Sequence, residues 1–245
     1  MEIVALIPAK SYSERLPGKN TLLLKGIPLV AWSIITATGS KLFKNIVVSS
    51  DSELTLQIAK KYGDDKLITI QTPPYHPTIH KYPSNDYPWI EHALHNLKNQ
   101  GQTYDAFCIL RPTNPFRTLR MLEAAITQFK DLLKTNPDKD YSLRAVEPCK
   151  QHPCKMWKLE GDKIVPYSGD IKDQLFTKPS QALPPVLAQN ASLEISFTNT
   201  VFNKKTHTEN NIYPFYTEDC EGLDIHNAED FMYAEYKLSL LDKYV

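Results

Sequence analysis

Between Lys10 and Asn20 the chain reads Lys-Ser-Tyr-Ser-Glu-Arg-Leu-Pro-Gly-Lys-Asn, which sets Lys10, Arg15 and Lys19 against a single acid, Glu14. Ser11, Ser13 and Asn20 add neutral donors. Such a loop has the parts needed to hold a polyphosphate: a planar guanidinium for bidentate bonds, ammonium charges that follow mobile oxygens, and backbone N–H groups that Gly18 lets a ligand approach. On charge alone, an exposed solvated loop reads the same. A second set lies in Gly222-Leu223-Asp224-Ile225-His226. Strand alternation predicts Asp224 and His226 on one face and Leu223 and Ile225 on the other, and two polar groups aimed together invite a cation. Magnesium favours oxygen ligands, so Asp224 is the stronger metal candidate and His226 the weaker. A loop cap is the plainer role for Asp224. The third set, Arg111-Pro112-Thr113-Asn114-Pro115-Phe116-Arg117, offers two guanidiniums and polar side chains on a turn stiffened by proline. Arg111 there suits a carboxylate or phosphate, although an ordinary turn ahead of a helix looks similar.

Periodicity predicts the elements that position these groups. Glu2 to Pro8 and Asn45 to Ser50 are buried-type strands, and Lys66 to Gln71, Asp105 to Leu110 and Tyr141 to Glu147 extend the set. Helices are predicted from Pro28 onward, over Ser52 to Tyr62 with Gly63 as the stop, over Asn85 to Lys98, over Leu119 to Lys134, and over Ala228 to Asp242 with Asn227 as the cap. The strand, helix, strand rhythm implies right-handed crossovers and a mainly parallel sheet with ligands outside the carboxyl ends of its strands. Both the cationic loop and the 111–117 turn fall at such ends. Residues 72–88, rich in Pro, His and Tyr, read as a lid or pocket wall. After Glu147 the rhythm stops. Short antiparallel strands around Gly161 and a proline-bearing connector over 170–187 form an excursion from the sheet, so the chain is one α/β domain with an appended arm at about 147–188.

Composition narrows the function. The 245 residues are 42% hydrophobic, and 28 basic side chains cancel 28 acidic ones. A balanced surface argues against a general nucleic-acid or membrane-surface binder. Residues 1–8 are too short for a membrane span, and Glu2 replaces the basic leader of a signal peptide. Cys108, Cys149, Cys154 and Cys220 are few and irregular. Cytoplasmic location with reduced thiols is the expectation. Cys149 and Cys154 bracket His152 in a spacing that would suit a metal clip, but no second pair matches it.

In order along the chain, Pro8-Ala9-Lys10, Ser13 and Arg15-Leu16-Pro17-Gly18-Lys19-Asn20, then Gly26-Ile27-Pro28-Leu29, Ser49-Ser50-Asp51, the 111–117 turn and Leu223-Asp224-Ile225-His226, resemble the CMP-sugar synthetases that activate sialic-acid-type and KDO-type sugars. The likeness spans nearly the whole chain. It implies a Rossmann-like nucleotidyltransferase fold, a homodimer built through the arm, and transfer of CMP from CTP to an acidic nine-carbon sugar with magnesium. On this resemblance Lys10, Ser13, Arg15, Lys19 and Asn20 hold the nucleotide, and Arg111, Thr113, Asn114, Arg117, Gln189 and Asn190 face the sugar. Lys19, Arg15 and Asp224 are then the catalytic candidates, and Asp224 with His226 marks the metal. The attacking hydroxyl loses its proton to Asp224 or to hydroxide on the metal, and no residue type decides between them. Cytosine contacts fall to Thr78, Lys81 and Ser84. The chain departs from the family at four places: Lys10 stands where Arg is usual, Glu14 where Lys is frequent in the sialic-acid branch, Arg111 where that branch typically has Gln, and His226 where a second Asp is common.

Two other readings compete. One is a nucleotide-sugar-dependent glycosyltransferase, which also sets a metal-binding acid on an α/β sheet. The other is a catalytically silent nucleotide binder that kept the scaffold after losing the acid at 226. Dehydrogenase and P-loop readings fall away, because neither glycine fingerprint occurs.

Overall fold

The computed structural model describes residues 1–74 and 86–241. In chain order the strands are β1 (Ile3–Pro8), β2 (Leu23–Leu24), β3 (Ile27–Pro28), β4 (Phe43–Ser50), β5 (Leu67–Gln71), β6 (Ala106–Ile109), β7 (Tyr141–Pro148), β8 (Trp157–Glu160), β9 (Lys163–Pro166), β10 (Leu187–Phe197) and β11 (Asn211–Tyr216). The helices are α1 (Leu29–Gly39), α2 (Glu53–Tyr62), α3 (Tyr87–Asn99), α4 (Leu119–Leu132), α5 (Thr198–Lys204) and α6 (Ala228–Leu241). The chain divides into a larger unit, Met1–Ala145 with Asn190–Val245, and a smaller one, Val146–Gln189.

The larger unit is built on a seven-stranded sheet in the order β11-β7-β10-β6-β1-β4-β5. Strands β6, β1, β4 and β5 run parallel, and β10 lies antiparallel to β6. Alternation along β1 explains the layering. Ile3, Ala5 and Ile7 enter a core with Val30 and Ile34 of α1, Leu56 of α2 and Phe129 of α4. Val4 and Leu6 enter the opposite core with Ile90 and Leu94 of α3 and Val201 of α5. A strand with no polar face can lie only where helices cover both sides. The sheet is therefore the mainly parallel, doubly covered one that periodicity predicts.

Local signals set the element ends. Ser52 caps α2 by accepting from the Thr55 N–H at 3.3 Å, and Thr118 does the same for α4 through Met121 at 3.0 Å. Between β2 and β3 the chain turns on Lys25 and Gly26, both at positive φ (49° and 75°), as a two-residue hairpin loop requires. The expected strand over Gly222–His226 does not form. Residues 223–226 run without sheet pairing, and one bond, from the Ile225 N–H to the Thr113 carbonyl at 2.8 Å, ties them to the 111–117 turn. Ile225 is buried with Leu24, Leu29, Phe116, Ala234 and Leu238 in a third, smaller core.

In the smaller unit β8 and β9 pair antiparallel across Gly161. Trp157 packs on Phe176 at 4.8 Å between ring centroids. Leu159, Ile164 and Tyr167 lie well exposed. His152 is no metal clip: its Nδ1 accepts the Cys154 N–H at 3.2 Å, and its Nε2 faces the Pro184 carbonyl at 2.8 Å. With both ring nitrogens used, the histidine holds the turn.

Candidate active site

The carboxyl ends of β1, β4 and β6 share one edge of the sheet, and short bonds knit their loops. The Ser50 hydroxyl donates to the Ala9 carbonyl at 2.6 Å, the Ala9 N–H to the Ser49 carbonyl at 2.9 Å, and the Leu110 N–H to the Leu6 carbonyl at 2.9 Å. Asp51, just past β4, accepts both the backbone N–H (2.6 Å) and the hydroxyl (2.7 Å) of Ser11. The loop after β1 then folds back on itself. Asn20, almost fully buried, donates its amide to the Lys10 carbonyl at 2.8 Å. Gly18 sits at φ 66° ahead of the short turn 19–21; an added Cβ would make only ordinary contact with Thr21 Oγ1 at 3.8 Å, so backbone conformation is what this position asks of glycine.

This folding gathers the cations. Burial pushes the Lys19 ammonium below its ordinary value, and the nearby charges of Arg15 and Lys10 push the same way, against the attraction of Asp224. Cations close enough to repel one another form a site that a polyanion relieves. Beneath them stands Asp224. Burial disfavours its ionised form, yet hydrogen bonding from His226 and Thr113 and the charge of Lys19 outweigh burial and hold the carboxyl below the usual range. Its Oδ2 lies 3.1 Å from His226 Nε2, and Arg15 reaches His226 Nδ1, also at 3.1 Å. Asp224 Oδ1 is buried without a well-formed hydrogen bond.

Those observations test the site for magnesium. An ion that binds through one or two carboxylates and completes its shell with phosphate oxygens and water matches an ionised Asp224 whose Oδ1 lacks a well-formed hydrogen bond. His226 does not fit as a ligand, since each ring nitrogen already faces a partner. Among the described residues no three His, Cys, Asp or Glu side chains converge as a metal cage.

The chain matches the family model described as Cytidylyltransferase over residues 4–78. It is 27% identical to the CMP-N,N'-diacetyllegionaminic acid synthase of Legionella pneumophila over 98% of this chain and 97% of that one. Across 133 residues, 53% of each chain, it is 35% identical to a pseudaminic acid cytidylyltransferase of Campylobacter jejuni. The chain is thus similar to CMP-sugar synthetases along nearly its whole length. Its fold agrees: a CMP:2-keto-3-deoxy-manno-octonic acid synthetase complexed with CTP superposes with a TM-score of 0.68 at 15% identity, over 98% of this chain and 99% of that one. The protein accordingly has the α/β nucleotidyltransferase fold.

The structure brings Lys10, Arg15, Lys19, Asp224 and His226 together, with Thr113 beside Asp224. Ser13 lies half-buried on the same loop. Several residues expected to touch substrate serve the framework instead. Asn20 spends its amide nitrogen closing the loop. Arg117 is 4% exposed and donates to the Ser192 and Arg111 carbonyls and, at 2.9 Å, to the Ser33 hydroxyl. Burial pushes its pKa down to about 9, so it stays charged at neutral pH while bolting the 111–117 turn to α1 and β10. Asn114 is fully buried, and its amide finds no hydrogen-bond partner among the described residues. Asn190 uses both ends of its amide, donating to the Thr217 hydroxyl at 2.8 Å and accepting from the Ser192 N–H at 3.2 Å. Gln189 falls in the smaller unit. Thr78, Lys81 and Ser84 lie outside the described residues.

Arg111 is not a bare cation facing the sugar. Its guanidinium pairs with Asp86 and, at 2.6 Å, with Glu194, whose other oxygen meets Arg144 at 2.6 Å. His207 stands 3.8 Å from Glu194, its pKa lowered chiefly by burial. Sequence reading missed Asp86, Arg144, Glu194 and His207. They are scattered from the start of α3 to the segment after α5, and no local spacing links them; a charged Glu194 set between Leu193 and Ile195 was the available signal.

Proposed function

We propose that the protein transfers CMP from CTP to a nonulosonic acid, releasing pyrophosphate. The observation that carries this reading is the convergence of Lys10, Arg15 and Lys19 over an ionised Asp224 at the carboxyl edge of the sheet. Attack of a sugar hydroxyl on the α-phosphorus builds charge on the departing pyrophosphate, and cations fixed before the reaction stabilise it without reorganising. Lys10, Arg15 and Lys19 are suited to hold those phosphates. Magnesium, held by Asp224, would neutralise phosphate charge and orient the triphosphate. Asp224 is better fitted to hold a cation than to accept the hydroxyl proton, because a carboxylate with a depressed pKa is a weak base. We place the acidic sugar beyond the β6 end, near Arg144 and Arg111. The exposed apolar side chains of the β8–β9 arm, Leu159, Ile164 and Tyr167 among them, support a homodimer. No helix among the described residues is long and apolar enough to cross a membrane.

The test uses a nonulosonic acid carrying ¹⁸O in its anomeric hydroxyl. Incubated with CTP and magnesium, the protein should give a CMP-sugar that retains the label. An unlabelled product, or labelled sugar recovered intact with CTP unconsumed, would overturn the assignment.

A further inference from the structure

Arginine has donors and no acceptor. The 3.1 Å contact between Arg15 and His226 Nδ1 therefore fixes which nitrogen of the ring carries the proton. Nδ1 must present its lone pair. The proton then sits on Nε2, where it faces Asp224 Oδ2 at 3.1 Å, an oxygen that accepts. We infer that His226 is a positioning residue: its neutral, Nε2-protonated ring pins Arg15 in the orientation that meets the triphosphate and, through the same ring, occupies one oxygen of Asp224.

The supports on either side of the ring favour this role. The His226 N–H donates to Asp230 Oδ2 at 2.8 Å, and Asp230 in turn donates its backbone N–H to Asn227 Oδ1 at 2.9 Å, a reciprocal cap that starts α6. On the other side Ile225 is fully buried, with its N–H on Thr113. His226 thus extends from backbone fixed by a helix cap and a core residue, whereas Arg15 extends from an exposed loop. A long side chain tethered by a firm neighbour loses its rotamer freedom before the ligand arrives, and binding is tighter for it. The same ring holds Asp224 through Oδ2, and Oδ1 lies buried without a well-formed hydrogen bond.

This inference rests on reading the loop as the triphosphate site. The experiment is a double-mutant cycle on CTP binding, measured by calorimetry with wild type, Arg15→Ala, His226→Ala and the pair, together with His226→Asn and His226→Gln. An asparagine oxygen falls near the place of Nδ1 and can accept from Arg15; a glutamine nitrogen falls near Nε2 and can donate to Asp224. His226→Ala should weaken CTP binding about tenfold, and in the Arg15→Ala background it should add less than about twofold. Asn should restore binding and Gln should not. Equal losses in both backgrounds, or rescue by Gln and not Asn, would overturn the inference while leaving the nucleotide site in place. A wild-type protein that binds no CTP would remove both that site and this role. A side chain that merely kept the fold would show no such difference between Asn and Gln.

Discussion

Among the three cations of the loop, Lys19 is the one whose proton burial disfavours. Burial and two like charges work against its proton, and a triphosphate supplies what the folded chain does not. Lys19→Ala should reduce CMP transfer at least tenfold, since a charge-assisted phosphate bond contributes about 1.5–3 kcal/mol. Steady-state kinetics with CTP varied will show it, and unchanged turnover and KM would remove Lys19 from the site. The cationic loop was legible in the sequence because its charges are contiguous and Gly18 marks its bend. Arg117 and Asn114 were misread for a related reason. A proline-flanked run of polar residues signals a turn, but burial decides whether those side chains face substrate or hold the turn, and burial depends on α1 and β10, remote in sequence.

At the scale of elements, Arg117 is the joint between three of them. Its truncation removes charged hydrogen bonds from the Ser192 and Arg111 carbonyls and from the Ser33 hydroxyl, leaving only the 3.3 Å bond from Ser33 to the Arg111 carbonyl among the latter two. Arg117→Ala should cost about 2 kcal/mol or more, because each buried polar group left unsatisfied costs about 1–3 kcal/mol. Chemical denaturation will measure it, and an unchanged midpoint would contradict the structural role. The main strands and α1 to α4 were legible because apolar runs and caps such as Ser52 and Thr118 are local signals. The 223–226 segment was not. Alternation correctly set Asp224 and His226 against a buried Ile225, yet pairing needs a neighbour strand, and the neighbour here is the single carbonyl of Thr113. The short helix α5 also escaped notice: Thr198 to Lys204 carries β-branched residues and Asn, whose helical preference is weak, and packing against β6 and α3 supplies what propensity does not.

At the scale of the whole molecule, the Asp86–Arg111–Glu194–Arg144 network ties α3 to the sheet, and its acid sensitivity can be worked out. Burial alone would raise the Asp86 pKa, but the Arg111 charge and hydrogen bonds from Trp89 and Arg111 prevail and lower it. The stability Asp86 contributes is thus fully present above its unfolded value, near about 3.9, and is lost as pH falls through the lower native value. Asp86→Asn should cost about 1–2 kcal/mol at neutral pH, and the loss should shrink in acid. Urea midpoints followed from pH 7 downward will test this, and a constant difference between the two proteins at every pH would contradict it. The account as a whole stands on the gathered cations serving nucleotidyl transfer to an acidic sugar. Its most direct test is pyrophosphate release from CTP and magnesium across legionaminic, pseudaminic and sialic acids and KDO, with the other nucleoside triphosphates as controls. The account predicts release that requires both CTP and one nonulosonic acid. CTP that binds without any release, or free CMP formed from a CMP-sugar in place of pyrophosphate, would contradict it.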